Sequence, residues 1–150
     1  MDRLKAEPSR GALAKEKEEF AAVFDMVMLC KFLRGCFQDI YEEIPKLFTL
    51  TTGIEMTPDD LRKAAERCIN LKKAFNIREG WKKEDDWLPP RFLKDPIKDG
   101  ASKGSVVKPE ELRMMIDAYY EARGWTPEGL IPKEKLIELG LDDIAEELGV

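Results

Sequence analysis

The chain has 150 residues, of which 43% are hydrophobic and 37% are charged, and its net charge is -5 with a pI of about 5.0. This length predicts one soluble globular domain, because a chain of this size can bury roughly two-thirds of its unfolded surface. The acidic balance argues against nucleic acid and against an anionic membrane as partners, because phosphate binding requires a basic face.

Residue usage also limits the chemistry and the location. The sequence contains no histidine, which excludes serine or cysteine catalysis with a histidine base and ordinary histidine metal sites. Its three cysteines include no C-x-x-C pair and do not predict a disulfide framework. No apolar run approaches the roughly 20 residues that span a bilayer, and residues 1–11 lack the apolar core of a secretory signal. We therefore expect a cytoplasmic protein.

The first predicted helix spans residues 14–33. Within it, the stretch from Phe20 to Cys30 contains one polar side chain, Asp25. A helix that is apolar on every side is a buried helix, and a carboxylate inside it is costly unless it is paired. Asp25 therefore marks a functional site, a helix face that turns toward solvent, or a structural hydrogen bond to a neighbouring helix end. Cys30 is either a soft metal ligand or a small buried hydrophobe.

Two further helices follow. The second begins near Phe37, and Pro45 is expected to kink or end it. The third begins at Thr57 as N-cap with Pro58 at the first helical position, and Gly80 lies just past its end. Its predicted core face consists of Leu61, Ala64, Ala65, Cys68, Ile69, Lys72 and Phe75.

The second half of the chain combines a loop with shorter helices. Residues 81–107 contain three prolines and two glycines, and they predict a long loop of a kind that is often functional. An amphipathic pattern over residues 109–124 predicts a helix that Gly124 caps, and residues 132–140 and a last turn or two from Asp142 complete the chain. No segment alternates like a central strand. The sequence therefore predicts a single all-α domain, an irregular multihelical bundle over residues 1–150.

Several motifs, taken in their order, resemble the tungsten-containing aldehyde ferredoxin oxidoreductases. Three stretches carry the resemblance, namely residues 25–32, which are similar to that family's late D-x-x-x-L-C motif, residues 76–91 and residues 119–141. The resemblance covers about residues 15–142, and residues 1–13 are expected to be flexible. It implies the irregular helical fold of the family's C-terminal domains.

The resemblance also implies roles for individual residues. In that family, the aspartate of the motif and the residue before its cysteine contact the pterin that carries the metal. The cysteine is the fourth ligand of a [4Fe-4S] cluster. The resemblance therefore implies that Asp25 and Leu29 bind a tungsten or molybdenum pterin and that Cys30 ligates the cluster. Met28 stands where the family often has a small residue.

The family's other cluster cysteines lie in a C-x2-C-x3-C stretch that this sequence lacks. We therefore expect a C-terminal portion of an aldehyde:ferredoxin oxidoreductase that has no catalytic residue of its own and is inactive and without metal when alone. The expected partners are a separate N-terminal pterin-binding polypeptide, ferredoxin through the complete enzyme, and a second copy of the chain. The alternative is a helical interaction module that kept the fold and lost the cofactor role.

Overall fold

The computed structural model describes residues 5–150, so the expectation of flexibility for residues 1–4 lies outside the described range. The part from residue 5 onward is helical and contains no strand, which confirms the all-α prediction. None of its helices combines the length and the apolar composition that a membrane span requires. The helices are α1 (Ser9–Met26), α2 (Ile40–Thr52), α3 (Pro58–Arg78), α4 (Pro90–Lys94), α5 (Pro109–Arg123), α6 (Lys133–Glu138) and α7 (Asp142–Leu148), with 3-10 segments at Lys31–Gly35 and Lys83–Asp86.

Helix α1 is the central element, and it packs chiefly against α5 and α3. It begins at Ser9, so residues 9–13 are helical where the sequence predicted a flexible segment. Gly11 is buried there, against the backbone of α5 at Ala118 and Tyr119. The absence of a side chain at Gly11 allows the two helices to approach closely, and this contact holds the first turn of α1 in place.

Two clusters of buried side chains form the core. The first lies at the C-terminal end of α1 and joins α2 to α3 through Val23, Phe24, Ile40, Ile44, Leu61 and Ala65. The second joins α3 and α5 to the C-terminal helices through Ala22, Ile69, Ala74, Tyr120, Trp125, Ile131, Leu136, Leu139, Leu141 and Ala145. Because successive residues of α1 belong to different clusters, this helix lies between them.

Helix α2 does not end at Pro45. It continues to Thr52, with Pro45 buried inside it next to Ile44. The N-cap residue Asp39 accepts a hydrogen bond from the Tyr41 N–H at 2.9 Å, which anchors the first turn. Burial of this apolar face outweighs the backbone hydrogen bond that the proline cannot donate.

Helix α3 begins as the sequence predicted. The Asp60 N–H donates to Thr57 Oγ1 at 3.1 Å and the Thr57 N–H donates to Asp60 Oδ2 at 2.9 Å, which is a capping box. Its core face differs in the C-terminal half, where Lys72 and Phe75 are exposed. The buried residues of that half are Ile69, Asn70, Lys73 and Ala74, because it packs against α7.

The predicted loop of residues 81–107 contains local structure. It includes the 3-10 segment Lys83–Asp86 and the short helix α4. Beyond α4 the chain folds back on itself, with the Ile97 N–H donating to the Ser105 carbonyl at 3.0 Å and the Gly104 N–H donating to the Ile97 carbonyl at 2.8 Å. The long connection that the sequence predicted therefore contains short helical segments and local turns.

The Gly11 contact yields a stability prediction. A Cβ at Gly11 would lie 2.5 Å from the carbonyl carbon of Ala118 and still closer to the Tyr119 amide nitrogen, and backbone cannot move aside cheaply. We expect Gly11→Ala to lower the free energy of unfolding by about 1 to 3 kcal/mol in denaturant melts. Gly35→Ala is the control, because a Cβ at Gly35 meets nothing within 4 Å. Equal free energies of unfolding for the wild type, Gly11→Ala and Gly35→Ala would contradict the close approach of α1 and α5.

Candidate functional site

The segment predicted to carry the site forms a turn rather than a continuous helix. Helix α1 ends at Met26, well before its predicted end. The Leu29 N–H then donates to the Phe24 carbonyl at 3.0 Å, and the Met28 N–H donates to the Asp25 carbonyl at 3.3 Å. These two bonds define a Schellman motif, whose first residue after the cap adopts the left-handed conformation. Met28 occupies that position with a φ of 55°.

This turn exposes the two polar residues among the three predicted site residues. Asp25 and Cys30 are exposed, as are Met28 at 91% and Phe32 at 88% of their surface. Leu29 is half-buried and packs against the first core cluster. The Leu29 side chain thus anchors the turn, and the polar groups on either side of it point away from the core.

The expectation that the first helix is buried on every side was wrong. The buried residues between Phe20 and Cys30 are Ala22, Val23 and Phe24. Asp25 therefore carries no cost of burial, and among the described residues its side chain has no hydrogen-bond or ion-pair partner. The exposed position argues against a buried structural hydrogen bond for Asp25, and its role as a site residue stays a prediction.

The exposed carboxylate of Asp25 and the exposed thiol of Cys30 are groups that can bind a cofactor. An ionised carboxylate accepts hydrogen bonds, and an accessible thiol can become a thiolate ligand of iron. All three cysteines are free. Within residues 5–150, no group of three or more histidine, cysteine, aspartate or glutamate side chains lies close enough to hold a metal ion. Cys30 can therefore supply one ligand, and the remaining ligands of a cluster must come from elsewhere.

A second polar cluster surrounds Asp86 and was not predicted as a unit. Asp86 accepts hydrogen bonds from Trp81 Nε1 at 3.0 Å and from the Tyr120 hydroxyl at 2.6 Å. The Lys73 ammonium lies 3.5 Å from the same carboxylate. Its Nζ also lies 2.8 Å from the centroid of the Trp81 ring and 4.9 Å from that of Trp125. Lys73 is 7% exposed, so aromatic faces and one shared carboxylate compensate its charge.

A third cluster joins α1 to α5 around Arg123, which is 1% exposed. Its guanidinium donates to Glu19 at 2.8 Å, to Glu18 at 2.5 Å and to the Tyr119 hydroxyl at 3.1 Å. The Tyr119 hydroxyl also donates to Glu18 at 2.5 Å. Each of these side chains finds a partner, so the network is a satisfied structural link between helices about one hundred residues apart in the chain.

Residues of the polar clusters around Asp86 and Arg123 line one cleft between α1, α3 and α5. Its volume is about 730 Å³, and Lys73, Asp86, Tyr120, Glu18 and Trp125 are among its lining residues. Burial lowers the pKa of Lys73 to about 8, against the attraction of Asp86. Burial also raises the pKa of Tyr120, and the hydrogen bond to Asp86 acts in the same direction.

Sequence reasoning found part of this cleft. The acids that follow Lys83 and the aromatic residues after Asp117 lie in the stretches 76–91 and 119–141 that carry the family resemblance. Lys73 lies outside both stretches. The signal was its spacing, because Lys73 follows the buried Ile69 by four residues and Asn70 by three. Asn70 is itself buried and accepts a hydrogen bond from Trp125 Nε1 at 2.8 Å.

Comparison with known proteins gives a consistent result. The sequence model of one family, described as "Aldehyde ferredoxin oxidoreductase, domains 2 & 3", matches residues 1–141. The tungsten-containing aldehyde ferredoxin oxidoreductase of Pyrococcus horikoshii is 38% identical over 128 residues, which are 84% of this chain and 20% of that protein. The corresponding protein of Pyrococcus furiosus is 39% identical over 83% of this chain and 20% of its own length.

Two further proteins are similar to this chain. A protein of Pyrococcus furiosus named "Aliphatic sulfonate oxidoreductase, WOR-like subunit" is 28% identical over 94% of this chain and 22% of its own length. Among solved structures, the active site complex BamBC of benzoyl coenzyme A reductase with 1,5-dienoyl-CoA matches with a TM-score of 0.58 and 34% identity. The match covers 71% of this chain and 15% of that one. The chain thus spans about a fifth of the length of the curated relatives.

The left-handed conformation of Met28 predicts that glycine stabilises the turn. A non-glycine residue there costs roughly 1 kcal/mol, and the exposed side chain contributes little packing in return. We expect Met28→Gly to raise the free energy of unfolding by about 0.5 to 1 kcal/mol and Met28→Val to lower it. Lys31→Gly, at an exposed residue without positive φ, should not stabilise. A destabilised Met28→Gly protein would contradict the turn.

The lowered pKa of Lys73 predicts a rise in stability at alkaline pH. The folded pKa of about 8 lies below the ordinary value of 10.5, so between pH 8 and 10 the unfolded chain binds a proton that the folded chain has lost. The free energy of unfolding should therefore rise with pH across this window, by at most about 1.4 kcal/mol per pH unit. Above pH 10 the raised pKa of Tyr120 reverses the trend.

Urea melts at pH 7 to 11 test this pH profile. Lys73→Met should remove the rise between pH 8 and 10, whereas Lys72→Met, at the exposed neighbouring lysine, should keep it. If the free energy of unfolding of the wild type stays flat or falls between pH 8 and 10, burial does not lower the pKa of Lys73 in the folded protein.

Proposed function

This chain belongs to the aldehyde ferredoxin oxidoreductase family, in the part described as domains 2 and 3, and we propose that it is the C-terminal part of a tungsten or molybdenum pterin enzyme that oxidises aldehydes to carboxylic acids. In this proposal it contributes one wall of the pterin site and one cysteine ligand of a [4Fe-4S] cluster. Electrons leave through the cluster to ferredoxin. The chain is inactive on its own.

One observation carries the proposal most directly. The D-x-x-x-L-C segment lies at a surface turn in which Leu29 is anchored to the core while Asp25 and Cys30 are exposed on either side of it. A binding segment requires this combination, since a fixed backbone keeps the two polar groups in place. The surrounding surface is also apolar, with Met28 and Phe32 almost fully exposed.

The chemistry assigned to the chain's own residues is limited. A bound metal-pterin supplies the two-electron oxidation, and a bound cluster accepts electrons one at a time. The Asp25 carboxylate accepts hydrogen bonds from the N–H groups of a pterin and so fixes its orientation. The Cys30 thiolate holds one iron atom. The Leu29 side chain fixes the backbone between them through its packing on the core.

The ligand count implies a partner. A four-iron cluster needs four thiolates, whereas the family motif supplies one here, Cys30. We propose that a polypeptide with the C-x2-C-x3-C stretch and the pterin-cradling domain binds this chain and covers the apolar surface of Met28, Phe32 and Leu33, which are exposed. Apolar clusters of this kind commonly mark interaction sites.

Cluster assembly tests the role of Cys30. The chain is coexpressed anaerobically with the N-terminal part of the Pyrococcus furiosus tungsten enzyme, and iron is measured in the purified complex. We expect about four irons per complex for the wild type, because Cys30 completes the four-thiolate set. Cys30→Ser should give a labile or three-iron cluster, visible in its electron paramagnetic resonance spectrum. The chain purified alone should contain less than one iron.

Cys36→Ser is the matched control, because Cys36 is also an exposed free cysteine. Its complex should keep the wild-type iron content and spectrum. If Cys36→Ser and Cys30→Ser lose iron equally, or if the chain alone binds four irons, the assigned role of Cys30 is wrong. Size-exclusion chromatography of the chain alone separates partner binding from self-association.

A further inference from the structure

We propose that the cleft between α1, α3 and α5 is a covalent binding site for small aldehydes, in which the side-chain amine of Lys73 forms a reversible imine. This site is distinct from the Asp25–Cys30 segment and does not depend on a bound cofactor. Its evidence is the arrangement of Lys73, Asp86, Tyr120 and the aromatic walls around them.

The Asp86 carboxylate is a weak partner for Lys73. Both of its oxygens already accept shorter bonds, one from Trp81 Nε1 at 3.0 Å and one from the Tyr120 hydroxyl at 2.6 Å. The ammonium is left with a 3.5 Å contact to the oxygen that Tyr120 also uses. A lysine buried for structural pairing would normally hold the closest contact to its carboxylate. Here the carboxylate is committed to the two aromatic residues instead.

Burial of Lys73 opposes the charged form of its amine, whereas the ring faces and Asp86 favour that form. The aromatic rings of Trp81, Trp125 and Tyr120 enclose its Nζ, and they replace water that would solvate an ammonium. The ionisable groups near it are Asp86 on the 3-10 segment, Glu18 on α1 and Tyr120 on α5. The two acids raise the pKa of the amine, but burial outweighs them and brings it to about 8. A larger fraction of Lys73 than of an ordinary lysine is therefore neutral and nucleophilic near pH 8.

The cleft offers space for a small organic ligand next to this amine. Its volume of about 730 Å³ lies within the roughly 300 to 1,000 Å³ range of small-molecule pockets. Ile69, Met115 and Ile116 add aliphatic surface to the aromatic walls. Such a lining suits the hydrocarbon part of an aldehyde whose carbonyl carbon faces the amine.

The reaction balances without an oxidant or a reductant. The Lys73 nitrogen attacks the carbonyl carbon and forms the new C–N bond, and Asp86 accepts a proton from that nitrogen. The carbonyl oxygen takes up both protons of the amine nitrogen, one of them by way of Asp86, and leaves as water as the C=N bond forms, so amine and aldehyde give imine and water. A protonated imine keeps the positive charge of Lys73 beside Asp86 and the rings. A carbamate would instead place a second negative charge next to Asp86, which disfavours carbon dioxide as the ligand.

Reductive trapping on the full chain tests the proposal. The chain is incubated with benzaldehyde and sodium cyanoborohydride at pH 7, 8 and 9, and modified residues are identified by peptide mass spectrometry. We expect Lys73 to react at least tenfold faster than Lys63, because Lys63 is exposed on α3 and does not line the cleft. The Lys73 rate should saturate with aldehyde concentration, as binding in a cleft requires, and should rise with a midpoint near pH 8.

Lys63 is the internal reference, because it is exposed and lies outside the cleft. Its rate should increase linearly with benzaldehyde over the range in which Lys73 saturates. Lys73→Arg should abolish the saturating adduct, and Lys63→Arg should leave it unchanged. Circular dichroism at each pH confirms that every variant is folded.

Two outcomes overturn the proposal on wild-type protein alone. Modification of Lys63 and other exposed lysines without Lys73 would show that the amine is inaccessible. Modification of Lys73 at the rate of Lys63, without saturation, would show that the cleft does not bind the aldehyde. Neither outcome depends on the cluster and pterin roles of Cys30 and Asp25, which the assembly experiment tests separately.

Discussion

The arrangement of this domain depends on the ion pairs and hydrogen bonds of the buried Arg123 side chain. Its guanidinium is almost fully removed from water and is paired with two carboxylates of α1 and the Tyr119 hydroxyl. Removing one partner of such a network leaves an uncompensated charge and typically costs about 3 to 5 kcal/mol. The network therefore fixes the position of α1 on α5, and Gly11 permits the close approach that this position requires.

Helix α1, once fixed, serves two different surfaces. Its N-terminal half forms part of the cleft that contains Lys73, through residues such as Ala14. Its C-terminal end places Val23 and Phe24 in the first core cluster and then turns out through Met28. The turn and the cleft thus share one rigid element, although they use different side chains and different chemistry.

The sequence predicted those features whose cause is local. The start of α3 follows from the capping box of Thr57, and the end of α5 follows from Gly124, which has a φ of 69°. The order of motifs identified the family, and the family comparison confirmed it. The end of α1 was missed because Met28, unlike glycine, gives no sign of a left-handed residue. The Lys73 cluster was missed because its partners come from other elements. The roles of Asp25, Leu29 and Cys30 remain predictions.

The pairing of α1 with α5 also has a consequence for folding. Glu19 and Arg123 are 104 residues apart in sequence, so closing this contact requires most of the chain. During synthesis, α1 leaves the ribosome long before its ion-pair partner Arg123 is made. Until then, only α2 and α3 can cover the apolar residues of α1 around Phe24. The residues of the first core cluster are therefore all synthesised before α5, whereas the second also requires residues of α5, α6 and α7. We expect the first cluster to be able to form on the nascent chain before α1 pairs with α5.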